Sequence, residues 1–263
     1  MQLSIVIPTF NSELIIDKLV KQIENEKFYS YEIVIVNDCS TDETYKKLIA
    51  LKKNFSNLKI INLQSNIGQV GATLCGVEKA SGEIIVTMDD DLQHDPKYIE
   101  KLIKEIQNKN YDIVVAKWGL DETIVRNLGS YFFSIISSFL ILKSINFRNT
   151  AFRAIKKEYK DEFINFFITR YWIDPRRINA KISQISIPHQ NQTFRPYSTF
   201  KSRITLATQH ILLDTYLVHL LMILILINNP YFLATLLLFF TFLQYMNKNF
   251  LRKKRKNAFL NSN

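Results

Sequence analysis

The sequence predicts an α/β fold built on a mostly parallel sheet, and three observations predict it. Short apolar runs alternate with helical stretches over the first 116 residues, and such alternation means parallel pairing through crossover helices. Each run stops at polar residues: Pro8-Thr9-Phe10-Asn11, Asn37-Asp38, Asn66 and Asp89-Asp90-Asp91. In open α/β sheets ligands bind beyond the carboxyl ends of the strands, so four scattered strand ends become one expected site. At 263 residues, finally, the chain has room for one sizeable domain and an appendage.

The elements follow in order. Leu3 to Ile7 reads as a first strand rather than a signal peptide, because no charged leader precedes it. Pro8 to Ser12 breaks the strand before an amphipathic helix with Leu14, Ile15, Leu19 and Ile23 inward. Glu32 to Val36 is the second strand. Ser40 or Thr41 is expected to cap the next helix, which carries Leu48, Ile49 and Leu51. Leu58 to Leu63 is the third strand, and Asn66-Ile67-Gly68-Gln69-Val70-Gly71 leads into a helix reaching about Ala80. Ile84 to Met88 is the fourth strand, Asp95-Pro96 opens a helix over Lys97 to Gln107, and Asp112 to Ala116 is the fifth strand.

The fourth strand carries the strongest chemical signal. Three adjacent carboxylates repel one another, and leaving them ionised at the mouth of a sheet costs free energy unless a cation sits there. Asp89 and Asp91 lie two apart on one side of an extended segment and can both reach a single Mg²⁺ or Mn²⁺. Gln93 continues that side with a neutral oxygen. Hard divalent ions held by one or two carboxylates complete their shell with substrate phosphates, so a nucleoside diphosphate is the expected ligand. The competing reading is an acidic helix N-terminus.

Charge divides the chain. Met1 to Ala116 holds 17 acidic and 13 basic residues, net −4, whereas the remainder holds 7 and 21, net +14. A basic half suits nucleic acid or an anionic membrane, and the apolar runs near the C-terminus favour the membrane. All ten arginines lie in that half, where their flat forks suit phosphate oxygens. Cys39 and Cys75 lack metal-ligand spacing and read as reduced cytosolic thiols. His94, His189, His210 and His219 share no spacing and read as structural. No Gly-x-Gly-x-x-Gly follows the first strand and no Gly-Lys-Ser/Thr occurs, which argues against dinucleotide and P-loop chemistry.

Ser4-Ile5-Val6-Ile7-Pro8-Thr9-Phe10-Asn11, the run Asn37 to Thr44, Asn66-Ile67-Gly68 with Ala80-Ser81-Gly82, and Asp89 to Pro96 together resemble a family 2 glycosyltransferase of the GT-A fold. The second half resembles the branch containing dolichyl-phosphate mannose synthase and bacterial polyprenyl-phosphate glycosyltransferases. Its markers are Phe152-Arg153, Ile187-Pro188-His189, and Arg195 with Ser198, Thr199 and Lys201. Two departures stand out: an aspartate common before Phe-Arg is missing near Arg148, and Arg195 to Lys201 lacks its glycine.

The resemblance implies an inverting transfer of sugar from a nucleotide-diphosphate sugar, with Mg²⁺ or Mn²⁺ as cofactor. Asp38 would hydrogen-bond the nucleotide base, and Pro8, Thr9 and Asn11 would line base and ribose. Asn66, Gly68, Asp89 and Asp90 complete the expected donor set, with Asp89, Asp91 and Gln93 on the cation. Arg153 and Arg195 would join Asp91 in stabilising the departing diphosphate, and Arg195, Ser198 and Lys201 would receive the acceptor or its phosphate. A hydroxyl acceptor needs a general base and a phosphate acceptor does not. The candidate base is Asp174, which reads equally well as a cap before Pro175 paired with Arg176 or Arg177.

Asn127 to Phe147 is nearly uncharged and reads as an interfacial helix, a buried core helix being the alternative. Two apolar runs, Tyr216 to Ile227 and Tyr231 to Met246, are split by Asn228-Asn229-Pro230. The cluster Arg252 to Lys256 favours a hairpin with both flanks cytoplasmic, spanning or re-entrant, over a soluble helical pair. The expected organisation is a nucleotide-sugar half at 1–116, an acceptor half at 117–204, a membrane helical hairpin at 205–246 and a basic cytoplasmic tail at 247–263. The leading reading is therefore an enzyme at the inner membrane, its catalytic domain cytoplasmic, that glycosylates polyprenyl phosphate. Transfer to a sugar hydroxyl of a lipid-linked glycan or lipopolysaccharide is the alternative. A sugar nucleotidyltransferase lacks its glycine-rich first loop here, and an inactive membrane scaffold rests only on the altered acceptor half.

Overall fold

The computed structural model describes residues 2–118, 150–169 and 179–188. Seven strands form one sheet: β1 (Leu3–Thr9), β2 (Tyr31–Asn37), β3 (Leu58–Asn62), β4 (Ile84–Thr87), β5 (Ile113–Trp118), β6 (Arg153–Lys156) and β7 (Ile182–Ile187). Their order across the sheet is β3-β2-β1-β4-β6-β5-β7, and every neighbouring pair is parallel except those that include β6. The boundary expected at residue 116 falls inside β5, and β6 from the second half inserts between β4 and β5.

Helices cover both faces, which is why the strands are apolar almost throughout. On one face Ile5, Ile7, Ile33, Ile35, Val86 and Val114 pack under α1 (Ile16–Asn25), α2 (Thr44–Asn54) and α4 (Ile99–Lys109). On the other, Val6, Val34, Val36, Ile85, Ile113 and Val115 pack under α3 (Gly68–Lys79) and α5 (Lys160–Thr169). Alternate residues of one strand thus feed two separate cores. Helix α3 lies so close to the sheet that a Cβ on Gly76 would stand 2.4 Å from Cγ1 of Val6 and 2.9 Å from Cγ2 of Val36. Gly82 is equally constrained, since its Cβ would meet the backbone nitrogen of Ser4 at 2.6 Å.

Several local expectations need correction. Leu14 is 86% exposed because α1 begins two residues later, so the helical period does not yet govern it. Buried positions in α1 are Ile16, Leu19, Val20 and Ile23. Ile49 is also exposed; the inward stripe of α2 holds Leu48 and Leu51, and Ile49 sits one step round from it. Neither Ser40 nor Thr41 caps α2, which starts at Thr44, where Asp42 Oδ1 accepts the Thr44 N–H at 3.0 Å. The Asp95-Pro96 start does hold: Asp95 accepts the Lys97 N–H at 3.1 Å over a 3-10 turn, Pro96–Tyr98, that runs into α4. Cys39 and Cys75 form no disulfide. Among the described residues no helix is long and apolar enough to cross a membrane. The helix expected at 127–147, the hairpin and the basic tail lie outside the described residues.

Candidate active site

The chain leaves β1 toward β2 and β3 on one side and returns in β4 on the other, so the switch in strand order falls between β1 and β4. That is where a parallel sheet opens a crevice at its carboxyl edge. The strand ends on this edge are joined by hydrogen bonds into one network. Thr9 Oγ1 donates to Asp90 Oδ2 at 2.6 Å, and Ser12 Oγ donates to the same oxygen. Asn11, with φ of 50°, accepts the Thr41 N–H at 2.8 Å, while its own N–H donates to Ser40 Oγ at 3.0 Å. Ser12 N–H donates to Thr44 Oγ1 at 2.7 Å. The loop after β1 is therefore sewn to the loop after β2.

Asp38 is buried, and its carboxylate sits on the start of α3. Its Oδ1 accepts the Ile67 N–H at 2.7 Å and its Oδ2 the Gly68 N–H at 2.8 Å, the latter made from the left-handed φ of 80° that glycine tolerates. Asn66 Nδ2 donates to the Asp38 carbonyl at 3.2 Å. The aspartate expected to meet a nucleotide base thus also orders the helix that follows β3. Two neutral N–H groups at a helix N-terminus suit a carboxylate.

The three carboxylates after β4 do different things. Asp90 is buried and turned into the protein, toward Thr9 and Ser12. Asp89 accepts from Gln69 Nε2 in the first turn of α3, and its N–H donates to Nδ1 of His94 at 3.0 Å. Asp91 Oδ1 accepts the Gln93 N–H at 3.0 Å. Leu92 has φ of 63°, so the two-residue alternation expected to carry Gln93 onto the side of Asp89 and Asp91 is interrupted there. Burial pushes the Asp91 carboxyl above the usual carboxylate range; the Gln93 N–H opposes this, and the Asp89 and Asp90 charges add to it.

Arg153 arrives by a different route. β6 runs antiparallel to β4 with Thr87 opposite Arg153, so the start of β6 lies at the end of β4 that bears the carboxylates. Its Cζ lies 5.6 Å from the Phe163 ring centroid. Burial lowers its pKa to about 10 while the Asp89 carboxylate opposes the shift, and the guanidinium stays cationic at neutral pH. A cation is therefore held against the carboxylate loop by sheet register, from a residue 62 positions beyond Asp91.

This donor set fits a hard divalent ion. No three His, Cys, Asp or Glu side chains gather as a closed cage among the described residues. Two carboxylates on one loop, one of them in surroundings that penalise its charge, match an ion that draws its remaining ligands from a diphosphate. Gln69, Ser12 and His94 touch the carboxylate triplet although sequence reading did not place them there: Gln69 and Ser12 bond to aspartates 20 and 78 residues away along the chain, and His94 accepts the N–H of Asp89, five residues back. Asp174, Arg195, Ser198 and Lys201 lie outside the described residues.

Known proteins align with this arrangement. A dodecaprenyl-phosphate galacturonate synthase from Rhizobium johnstonii is 35% identical over 123 residues, 44% of this chain and 36% of that protein. A dolichol-phosphate mannosyltransferase from Pyrococcus furiosus is 38% identical over 117 residues, 44% of this chain and 33% of that protein. The chain thus matches about a third of the length of these relatives. Glucosyl-3-phosphoglycerate synthase from Mycobacterium tuberculosis, solved with Mn²⁺ and UDP-glucose, superposes with a TM-score of 0.58 at 17% identity, covering 80% of this chain and 77% of that one, which shows a shared GT-A fold. Residues 4–198 match the model for glycosyl transferase family 2, and the chain belongs to that family.

Proposed function

We propose that the protein is a membrane-associated inverting glycosyltransferase that moves a sugar from a nucleotide-diphosphate sugar to polyprenyl phosphate. The observation that carries this reading is the placement of Asp89 between Asp91 and the Arg153 guanidinium, whose charges it feels on both sides, at the carboxyl edge of the sheet beside the switch between β1 and β4. Pro8, Thr9, Asn11, Asp38, Asn66 and Gly68 line the same edge and supply a surface for the nucleotide. Asp89 and Asp91 would hold Mg²⁺ or Mn²⁺, with the Gln93 N–H bracing Asp91 from behind, and the ion when bound would neutralise charge on the diphosphate.

The acceptor phosphate oxygen attacks the anomeric carbon, and the bond from that carbon to the diphosphate oxygen breaks with its electron pair leaving on the nucleotide. Arg153 meets the charge that develops there, and the buried surroundings strengthen that interaction. The attacking oxygen is already anionic, so no base is required. A lipid-phosphate acceptor is supported by the two relatives, both named for polyprenyl-type phosphates, and by the net charge of +14 beyond Ala116. The same basic half supports attachment at the cytoplasmic face of the inner membrane, with Arg195, Ser198 and Lys201 receiving the headgroup.

Purified full-length protein supplied with a panel of nucleotide sugars, polyprenyl phosphate and Mn²⁺ should yield a glycosyl-phosphate lipid detectable by mass spectrometry of the lipid extract. Asp91→Ala and EDTA should each lower that yield at least ~10³-fold, the EDTA effect reversing on adding metal. Full activity in EDTA would remove the metal from the mechanism.

A further inference from the structure

We propose that His94 is a positioning residue that sets the Asp89 carboxylate against Arg153 for binding of the divalent ion and the diphosphate. His94 is 3% exposed, and its Nδ1 accepts the Asp89 N–H at 3.0 Å. Its ring stacks on Phe152, with centroids 5.0 Å apart and planes 26° from parallel. Phe152 is fully buried and is the residue before Arg153. One imidazole therefore touches the loop that carries the carboxylates through its nitrogen, and the strand start that carries the guanidinium through its face. These two segments also meet in the short β4–β6 pairing that ends at Thr87 opposite Arg153, and through the Thr87 hydroxyl, which donates to the Ala151 carbonyl at 2.6 Å. Accepting at Nδ1 leaves the ring proton of the neutral imidazole on Nε2.

A space-filling residue would do the second job alone. Phenylalanine keeps a ring for Phe152 but offers no acceptor, so the Asp89 N–H would lose its partner and the backbone at Asp89 its fixed orientation. Asparagine loses the ring and keeps an acceptor close to the Nδ1 position. Groups that orient a metal ligand from behind typically change metal affinity about 10- to 100-fold when removed.

The inference rests on the metal reading above, and the experiment separates the two. Full-length wild type, His94→Phe and His94→Asn in detergent are titrated with Mn²⁺ in the presence of UDP or GDP, and unbound Mn²⁺ is read by its electron paramagnetic resonance signal. His94→Phe should melt like wild type yet bind Mn²⁺ about 10- to 100-fold more weakly, and His94→Asn should recover most of that loss. His94→Leu, equally unable to accept, repeats the comparison should the phenylalanine variant fail to fold. Wild-type affinity in His94→Phe, or equal weakening in His94→Phe and His94→Asn, would overturn the positioning role while leaving the metal site standing. Absence of Mn²⁺ binding by wild type with either nucleotide would instead overturn the metal reading and this role with it.

Discussion

Thr9 donates its hydroxyl to Asp90 at 2.6 Å, so the last residue of β1 is tied directly to the middle carboxylate after β4. Ser12 adds a second hydroxyl to the same oxygen. With Asp90 anchored inward, Asp89 and Asp91 are the members of the triplet left to serve the site. The loop that would hold the nucleotide and the loop that would hold the cation are thus tied to each other through one carboxylate.

Breaking that anchor should cost stability as well as activity. Hydrogen bonds to a charged group are each worth about 1.5–3 kcal/mol, and Asp90 is buried. Asp90→Ala should lower the melting temperature measurably and weaken transfer, and Asp90→Asn, which keeps the volume and an acceptor oxygen, should do less of both. Thermal melting followed by circular dichroism checks the order. An Asp90→Ala protein that melts like wild type would mean that the two hydroxyl–carboxylate bonds do not hold the loops together.

Asp38 should show two effects where sequence reading expects one. Asp38→Ala strips the Ile67 N–H of its acceptor and leaves the Gly68 N–H only Asn66 Oδ1 at 3.2 Å, and loss of a helix-capping side chain costs about 0.5–2 kcal/mol. Nucleotide binding should fall as well, because α3 carries Gln69 against Asp89. Calorimetric titration with UDP and GDP, set beside a melting curve, separates the contributions. Weakened nucleotide binding with an unchanged melting temperature would point to direct base contact alone.

Acid should loosen the β5, β6 and β7 junction through Asp112. Burial pushes this carboxyl up, but Lys156 Nζ at 2.8 Å and the Lys181 N–H at 2.8 Å outweigh it and hold the group below the usual carboxylate range. A carboxyl depressed in the folded state contributes stability that is complete above its unfolded value, about 3.9, and is lost as pH falls through the lower folded value. Glu32, lowered by Ser4 and Ser81 hydrogen bonds that exceed its burial cost, acts in the same direction. Asp112→Asn should therefore be less stable than wild type at pH 7 and converge with it in the acid limb. Melting curves from pH 7 to pH 3 test this, and a constant gap between the two proteins would show that charge is not what Asp112 contributes.

The first four strands were legible because each is a nearly unbroken apolar run that stops at a polar residue, a pattern set by burial on both faces. The site followed from the edge rule, which collects Thr9, Asp38, Asn66 and Asp89 to Asp91 without knowledge of strand order. The place of β6 was not legible. Arg153–Lys156 is four residues long, and its antiparallel insertion between β4 and β5 depends on pairing partners that no local period records. Nor does the sequence distinguish three consecutive aspartates. Asp90 differs from its neighbours only through Thr9 and Ser12, which stand 81 and 78 residues away, and the turn at Leu92 rests on a positive φ in a residue type that rarely takes one.

Asp174 separates the two acceptor classes. If the acceptor is a sugar hydroxyl, a base must take its proton, and removing such a base costs about 10² to 10⁴ in rate. Asp174→Asn keeps the size of the side chain and an oxygen for any capping hydrogen bond, so a role at a helix start before Pro175 would survive the change while proton abstraction would not. With polyprenyl phosphate the attacking oxygen is already charged near neutral pH, and the substitution should be nearly silent. The proposed lipid-phosphate acceptor therefore predicts that Asp174→Asn transfers sugar at close to the wild-type rate, measured by single-turnover formation of the glycosyl-phosphate lipid. A folded Asp174→Asn enzyme that bound nucleotide normally but transferred a hundredfold more slowly would reverse the assignment, because only a hydroxyl nucleophile makes the reaction depend on that carboxylate.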